Sequence, residues 1–281
     1  MEAIERLRTG FRQSSTLMKI VWVNVAVFVL LRLIAIVFVF SGRPDYIDLM
    51  LAQVELPSSP ALFITRPWTL LTYMFAQYDL LHIVFNMLWL YWFGTMFTMT
   101  ASSRRLLTLY LCGGLAGAVL FVLGYMILPI FHSHYGSLIG SSASVIAVVT
   151  AVAILMPHFK MHLLLIGSVS VKWIAIVTIV LVLVGMTGSN AGGEIAHIGG
   201  IIAGVLYALW MKREREVSSR RPAWPRASAD STSTASQSGA GLSADERAEL
   251  DAILDKIKKS GYTSLTSSER DRLFNVSRKI K

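Results

Sequence analysis

Charged residues are scarce in this chain of 281 residues, since Asp, Glu, Lys and Arg make up only 15% of it. An average soluble domain is about 25% charged, and 54% of the residues here are hydrophobic. This composition excludes an ordinary soluble domain and predicts a membrane protein. Cysteine is nearly absent too. The one cysteine, Cys112, excludes an internal disulfide and offers no cysteine cluster for a metal.

A cleavable signal peptide is not expected either. Residues 1–15 carry mixed charges, and the apolar run that follows is too long and lacks a small-residue cleavage site. The lack of a transit-peptide pattern favours a bacterial plasma membrane as the location. The net charge of +9 raises the alternative of nucleic-acid binding, but most of the excess lies beside apolar runs or after Trp210. Membrane orientation explains that distribution better, and no nucleic-acid partner is predicted.

Six apolar runs approach the length needed to cross a hydrocarbon core of roughly 30 Å at ~1.5 Å per residue. They are about Leu17–Phe40, Leu80–Thr100, Leu106–Leu128, Leu138–Met156, Lys172–Met186 and Ala191–Met211. The fifth run is started at Lys172 because an earlier start would bury this lysine near mid-membrane, at a cost of about 2.5 kcal/mol or more. Short cytoplasmic loops collect Lys and Arg, and such residues precede the first run, follow the second, fourth and sixth, and are rare elsewhere. We therefore expect an all-α, polytopic membrane protein with six spans and both termini cytoplasmic.

The pattern divides the chain into four regions. Residues 1–16 are a cytoplasmic N-terminal segment, 17–212 the six-span domain, 213–242 a flexible linker, and 243–281 a small two-helix cytoplasmic module. In the module, Ser243–Glu246 and Thr266–Glu269 have the spacing of capping boxes, which predicts helices near 244–260 and 267–279, with a turn at Gly261-Tyr262. Because it is too small for a large core, its expected role is contact with a cytoplasmic partner.

The long first loop, 41–78, is predicted to contain short segments lying in the outer membrane interface, with Trp68 as an anchor. Two arginines have no assigned role at this stage. Arg32 lies within the first span, where a charge needs a partner or must reach the interface, and Arg66 lies in the loop itself.

Polar residues cluster in the first turns of the second, fourth and sixth spans. These three spans run in the same direction, so His82, Asn86, Ser142 and His197 are expected at one depth, within roughly 10–15 Å of the outer boundary. Each feature taken alone has a structural explanation. A lone His82 is typical of an interfacial residue, and small residues let helices approach closely; the candidates for that packing role are Gly140, Gly199, Gly200 and Gly204. Taken together, a serine, two histidines and an asparagine at one depth favour nucleophilic catalysis.

The same residues form three motifs that resemble those of one family, the rhomboid intramembrane serine proteases. The stretch 140–143, Gly-Ser-Ser-Ala, resembles their G-x-S-x nucleophile motif, and 196–200, Ala-His-Ile-Gly-Gly, resembles A-H-x-x-G. The stretch 82–86, His-Ile-Val-Phe-Asn, resembles the H-x-x-x-N of their second span. The resemblance covers about residues 17–212, with the motifs in the corresponding spans.

The resemblance implies an endopeptidase with a Ser-His dyad, in which Ser142 is the nucleophile and His197 the general base. The backbone amide of Ser142 and the side chains of His82 and Asn86 would form the oxyanion hole. Such an enzyme is a hydrolase that needs no metal or cofactor. Its expected partners are the lipid bilayer and single-span membrane proteins, which it would cut near the outer end of their transmembrane helices.

Several points depart from the family pattern or stay open. Where these proteases often have an aromatic residue four positions after the nucleophile, this chain has Ile146, so what orients His197 is not given. The family's Trp-Arg pair reads Trp68-Thr69 here. Glu194 lies one turn before His197 and is a possible third member, although a loop glutamate at the outer surface is more often solvated.

Two other functions compete with proteolysis. A non-catalytic rhomboid-like protein that binds membrane clients would not need an intact serine and histidine. A small transporter would be expected to have inverted repeats and a polar site near the midplane, and this chain has neither pattern. The natural substrate and the oligomeric state are not predicted.

Overall fold

The computed structural model describes residues 2–131, 135–163, 167–186, 190–220, 251–253, 255–257 and 265–279. The chain divides into two compact units, residues 1–220 and 221–281, which are taken in turn. In the first unit the long and medium helices are α1 (Glu2–Gln13), α2 (Thr16–Phe40), α6 (Leu80–Thr100), α7 (Ser103–Ile127), α8 (Ser142–Leu155), α9 (Val171–Gly185) and α10 (Ala191–Arg220). Three short helices lie between α2 and α6, namely α3 (Tyr46–Leu51), α4 (Pro60–Thr65) and α5 (Thr69–Thr72).

The predicted polytopic helical bundle is confirmed, but its spans are not of equal length. The helices α2, α6, α7 and α10 are long and apolar enough to cross a membrane. The helices α8 and α9 are apolar but have only 14 and 15 residues. At ~1.5 Å per residue each is about 21–23 Å long, which is shorter than a hydrocarbon core of roughly 30 Å. Helix α9 begins within one residue of the predicted Lys172, after a hairpin of β3 (Lys160–Leu163) and β4 (Gly167–Ser170).

The prediction that the fourth span begins at Leu138 is wrong. Strand β2 (Ser137–Leu138) pairs antiparallel with β1 (Leu56–Pro57) of the first loop. Gly140 then has a φ of +125°, a backbone conformation that favours glycine. This conformation is not helical, so α8 cannot include residue 140. Its N–H donates to the carbonyl of Tyr73 at 2.9 Å. The chain therefore enters the bundle in an extended form, and the helix begins only at Ser142.

The first loop is held by side chains whose roles were open. The Trp68 indole donates to the carbonyl of Gln53 at 2.8 Å, and the Arg66 guanidinium donates to the carbonyl of Ala52 at the same distance. The Arg32 guanidinium lies 3.9 Å from the centre of the Tyr78 ring. This cation–π contact gives the charge in the first span a partner in the loop.

Helix α8 is the centre of the bundle, enclosed by α6, α7 and α10. Glycines on α10 allow its backbone to approach these helices closely. A Cβ atom at Gly199 would lie 2.5 Å from the carbonyl oxygen of Ala116 on α7. At Gly204 it would lie 2.5 Å from the carbonyl oxygen of Ala147 on α8, and Gly200 abuts the carbonyl of Ala143 in the same way. Because backbone atoms cannot yield as side chains do, these contacts fix α10 against α7 and α8.

Helix α10 extends beyond the expected end of the sixth span at Met211. It continues to Arg220, and in this extension Glu214 forms a 2.8 Å ion pair with Arg105 near the start of α7. The first residues of the predicted linker, from 213 to 220, are therefore helical. The remainder of that linker, 221–242, lies outside the described residues.

In the second unit, Ser267–Lys279 forms α11 with the predicted bounds. The predicted capping box at its start is confirmed: the Thr266 amide donates to Glu269 Oε2 at 2.8 Å, and the Glu269 amide donates to Thr266 Oγ1 at 3.3 Å. Lys256 pairs with Glu269 at 2.8 Å, and Ile253 and Leu265 are buried. The other predicted capping box, 243–246, and the turn at 261–262 lie outside the described residues.

The close approach of α10 to α8 predicts the effect of one added methyl group. Gly204→Ala should lower the free energy of unfolding by about 1–3 kcal/mol, because the new Cβ meets backbone that must shift. The comparison is thermal unfolding in detergent micelles, followed by tryptophan fluorescence. Gly10→Ala is the matched control, since a Cβ there has nothing within 4 Å. Equal melting temperatures for the two variants would contradict the packing argument.

Candidate active site

Ser142 and His197 lie within hydrogen-bonding distance of each other. Ser142 is the first residue of α8, and His197 lies in the second turn of α10. The His197 Nε2 atom is 2.8 Å from Ser142 Oγ, and both side chains are partly buried. The tight contacts between α8 and α10 described above fix this distance, because they set the spacing of the two helices just below the pair.

Three serines compete for the role of nucleophile, and their surroundings separate them. Ser141 is fully buried, and its Oγ accepts a hydrogen bond from Gln77 Nε2 at 3.1 Å. Ser144 is also fully buried, packs on Gly114 of α7, and has no hydrogen-bond partner among the described residues. Of these three, it is Ser142 whose hydroxyl faces an imidazole.

The expectation that Glu194 is a solvated loop residue is wrong. Glu194 lies in the first turn of α10, one turn before His197, so both side chains project from the same face of the helix. Its Oε2 atom is 2.8 Å from His197 Nδ1, and each side chain is only 16% exposed. Where the family often has an aromatic residue this chain has Ile146, and the contact to His197 Nδ1 comes from this carboxylate.

These side chains line a cavity of about 330 Å³. One part of its lining is polar and is formed by His82, Asn86, Ser142, Glu194 and His197. The rest is mainly apolar and is formed by Phe85 and Trp89 of α6, Val145, Ile146 and Val149 of α8, and Thr178, Leu181 and Val182 of α9. All the predicted catalytic and oxyanion-hole residues are thus brought to one pocket.

His82 and Asn86 are one turn apart on α6, on the side that faces Ser142. Asn86 is buried, and its Nδ2 atom donates to Gln77 Oε1 and to the carbonyl of His82, both at 3.0 Å. His82 lies against Gly140, where a Cβ atom would be 2.9 Å from the imidazole Cε1. Glycine is therefore required at position 140 for two reasons. The backbone adopts a φ of +125°, and the absence of a side chain leaves room for the His82 ring.

Gln77 is a site residue that the sequence reading missed. Its side chain is fully buried and connects three elements: Nε2 donates to Asn24 Oδ1 of α2 and to Ser141, while Oε1 accepts from Asn86. Asn24 in turn donates to Tyr110 of α7 at 3.1 Å. Two polar amides in apolar surroundings were the available sequence signal for this network: Asn24 lies within the first apolar run, and Gln77 lies just before the second. Nothing in their spacing indicated that they contact each other.

The fold and the pocket define a multi-pass membrane protein with a Ser-His pair in a cavity within its helical bundle. Comparison with protein families agrees with this class. The Rhomboid domain matches residues 65–214, more than half of the chain, and the chain therefore belongs to the rhomboid family. A second match covers residues 243–279, to a family of unknown function, DUF6576.

Two named relatives are similar to parts of the chain. RHOMBOID-like protein 12, mitochondrial, from Arabidopsis thaliana is 43% identical over 58 residues, which cover 21% of this chain and 17% of the relative. Presenilin-associated rhomboid-like protein A, mitochondrial, from Danio rerio is 28% identical over 163 residues, covering 53% and 40%. The chain thus matches less than half the length of either relative.

The buried amide network predicts a large effect from removing Gln77. Gln77→Ala should lower the free energy of unfolding by about 1–3 kcal/mol, because Asn24, Asn86 and Ser141 lose a buried hydrogen-bond partner. The measurement is reversible unfolding in mixed micelles by titration with a denaturing detergent. Gln53→Ala is the matched control. The Gln53 side chain is exposed, and the hydrogen bond from Trp68 to the backbone carbonyl of residue 53 is retained in the variant. A Gln77 variant as stable as this control would show that the network contributes nothing.

Proposed function

We propose that the protein is an intramembrane serine endopeptidase that hydrolyses peptide bonds within or near the outer end of substrate transmembrane helices. The observation that carries this proposal is the 2.8 Å contact between Ser142 Oγ and His197 Nε2 in a pocket that also holds His82 and Asn86. Membership of the rhomboid family supports the same activity.

In the acylation step, Nε2 of His197 takes the proton of the Ser142 hydroxyl as Oγ attacks the scissile carbonyl carbon. The tetrahedral intermediate then collapses, the C–N bond breaks, and the imidazolium returns the proton to the leaving amine. Water hydrolyses the acyl-enzyme by the same route, with His197 again as base and then acid. The reaction sequence balances without an oxidant or reductant: the Ser142 proton passes through His197 to the leaving amine, and in deacylation a proton of the attacking water passes through His197 back to Ser142 Oγ.

The negative charge of the intermediate is to be stabilised by donors beside Ser142. Because Ser142 is the first residue of α8, its own amide has no intrahelical acceptor and is available to the oxyanion. His82 and Asn86 lie on the facing helix. The Asn86 side-chain amide already donates both hydrogens, to Gln77 and to the His82 carbonyl, so the oxyanion would compete with these acceptors as it forms.

The pocket suits a segment of a membrane-spanning helix that enters from the side. Phe85 of α6 and Leu181 of α9 line the pocket, and both are more than half exposed, at 56% and 64%. The cavity therefore reaches the outer surface of the bundle between these two helices. A transmembrane helix sequesters its carbonyls in hydrogen bonds, so the substrate must unwind locally before Ser142 can attack. Single-span membrane proteins with a weakly helical outer end are the proposed substrates.

A bacterial plasma membrane is the proposed location, with the active site facing the outer side. Both named relatives are described as mitochondrial, which makes a mitochondrial membrane the second candidate. The module at 243–281 is proposed to bind a partner in the cytoplasm, or in the matrix if the second candidate holds.

The proposal predicts that Ser142→Ala abolishes cleavage of a reporter transmembrane substrate in proteoliposomes and abolishes labelling by a fluorophosphonate. The reason is that the alanine removes the attacking oxygen and leaves the fold unchanged, so the melting temperature should equal that of the unsubstituted protein. Ser137→Ala, an exposed serine five residues earlier, is the matched control and should cleave normally.

Retained cleavage by the Ser142→Ala variant would rule out the proposed mechanism. If the unsubstituted protein binds the reporter stably but neither cuts it nor reacts with the probe, the protein is instead a non-catalytic binder of membrane clients.

Removal of an oxyanion donor should affect turnover rather than binding. His82→Ala and Asn86→Ala are each expected to lower kcat by about 10²- to 10³-fold with little change in KM, because these donors act on charge that develops in the transition state. Initial rates on the reporter substrate measure both constants. Leu88→Ala, an exposed position on the same helix, serves as control. A pure KM effect would instead place these residues in substrate binding.

A further inference from the structure

The imidazole of His197 is bonded at both of its nitrogens. Nε2 faces Ser142 Oγ at 2.8 Å, and Nδ1 faces Glu194 Oε2 at 2.8 Å. Serine, histidine and glutamate thus form one continuous hydrogen-bonded chain across α8 and α10. From this geometry we propose that Glu194 is a positioning residue that acts through His197, so that the protein works with a Ser-His-Glu triad rather than a dyad. This inference rests on the proposed function.

The carboxylate fixes which nitrogen carries the proton. A carboxylate only accepts hydrogen bonds, so the hydrogen between Glu194 and His197 belongs to Nδ1. The lone pair of the neutral ring is then on Nε2, facing the hydroxyl of Ser142, which is the form a general base requires. In the opposite tautomer Nε2 would carry the hydrogen and could not take the serine proton.

The same carboxylate stabilises the charge that appears during the reaction. When Nε2 takes the proton from Ser142, the ring becomes an imidazolium with Glu194 at 2.8 Å. Both side chains are 16% exposed, so the attraction is less screened by water than at an open surface. The proton stays on the imidazole and passes to the leaving amine, so Glu194 acts through its hydrogen bond and not by taking up the proton.

Two features of the fold hold Glu194 in place. It lies in the first turn of α10, where the helix dipole favours a negative charge. On its other side lies Gly185, the last residue of α9, where a Cβ atom would be 2.6 Å from Glu194 Oε1. The absence of a side chain at Gly185 leaves the carboxylate room to point at His197.

A purely structural role is the competing explanation, in which Glu194 and His197 are a stabilising pair at the start of α10. The two roles differ in what they change. A structural pair affects stability and the fraction of folded protein. A positioning residue lowers kcat in protein that is folded and binds substrate normally.

The test compares Glu194→Ala, Glu194→Gln and Glu194→Asp in the full chain, reconstituted in proteoliposomes. The readouts are kcat and KM on the reporter substrate, the second-order rate of fluorophosphonate labelling, and the melting temperature. Ala and Gln are expected to lower kcat and the labelling rate together, by on the order of 10²- to 10⁴-fold, with KM nearly unchanged. Asp keeps the charge but is shorter by one methylene, so it should recover part of the activity.

Glu214→Gln is the matched control. It is the same substitution on the same helix, and it breaks an ion pair of the same 2.8 Å length, with Arg105, far from the pocket. Its kcat and labelling rate should be those of the unsubstituted protein. This separates the loss of an ion pair on α10 from the loss of the contact to His197.

The outcomes distinguish the triad from the protease assignment itself. If Glu194→Ala and Glu194→Gln keep kcat within about threefold while Ser142→Ala and His197→Ala are inactive, the dyad suffices and the triad is wrong. If activity falls only in proportion to the folded fraction, the role is structural and the triad is again wrong. If Ser142→Ala still cleaves, the proposed function fails, whatever the Glu194 variants do.

Discussion

The structure depends on one constraint, that backbone and side-chain polar groups inside a bilayer must find partners within the protein. If helix α8 were surrounded by lipid, its polar groups would lack partners, because it begins with serines and follows an extended segment whose backbone groups are not bonded within a helix. The bundle satisfies these groups internally. Gly140 donates to Tyr73, β2 pairs with β1 of the first loop, and Ser141 accepts from Gln77. The surrounding helices α6, α7 and α10 separate the polar start of α8 from lipid.

The length of α8 follows from this arrangement and explains the pocket. With 14 residues the helix is about 9 Å shorter than a typical hydrocarbon core. Ser142, His197 and Asn86 line the cavity at the N-terminal end of α8. A buried amide network that includes Asn24 and Gln77 then fixes the first loop and α6 around that space. The same features that satisfy the polar groups therefore also hold Ser142 in contact with His197 inside the bundle.

Much of this was accessible from the sequence, because apolar length and flanking charge are signals that act along the chain. The bounds of α6 and α11 agree with the prediction residue for residue, and α2 and α9 agree within one residue. The direction of the spans also placed His82, Asn86, Ser142 and His197 at one level. The start of α8 was missed because it is set by pairing with residues some eighty positions earlier, which no local pattern records. Glu194 was misjudged for a related reason: it lies at the start of the predicted sixth span, and its burial depends on packing against α9 and His197, which no local pattern records.

The close fit of α10 to α8 has a consequence for how members of this family are classified. The distance between Ser142 and His197 is set by backbone contacts at Gly200 and Gly204, neither of which takes part in the chemistry. A homologue that keeps its serine, histidine and A-H-x-x-G motif but carries a larger residue at position 204 would have Ser142 Oγ and His197 Nε2 pushed apart. Such a chain would match all three motifs and yet lack the Ser-His contact, so the motif residues alone do not separate members that have this contact from members that do not.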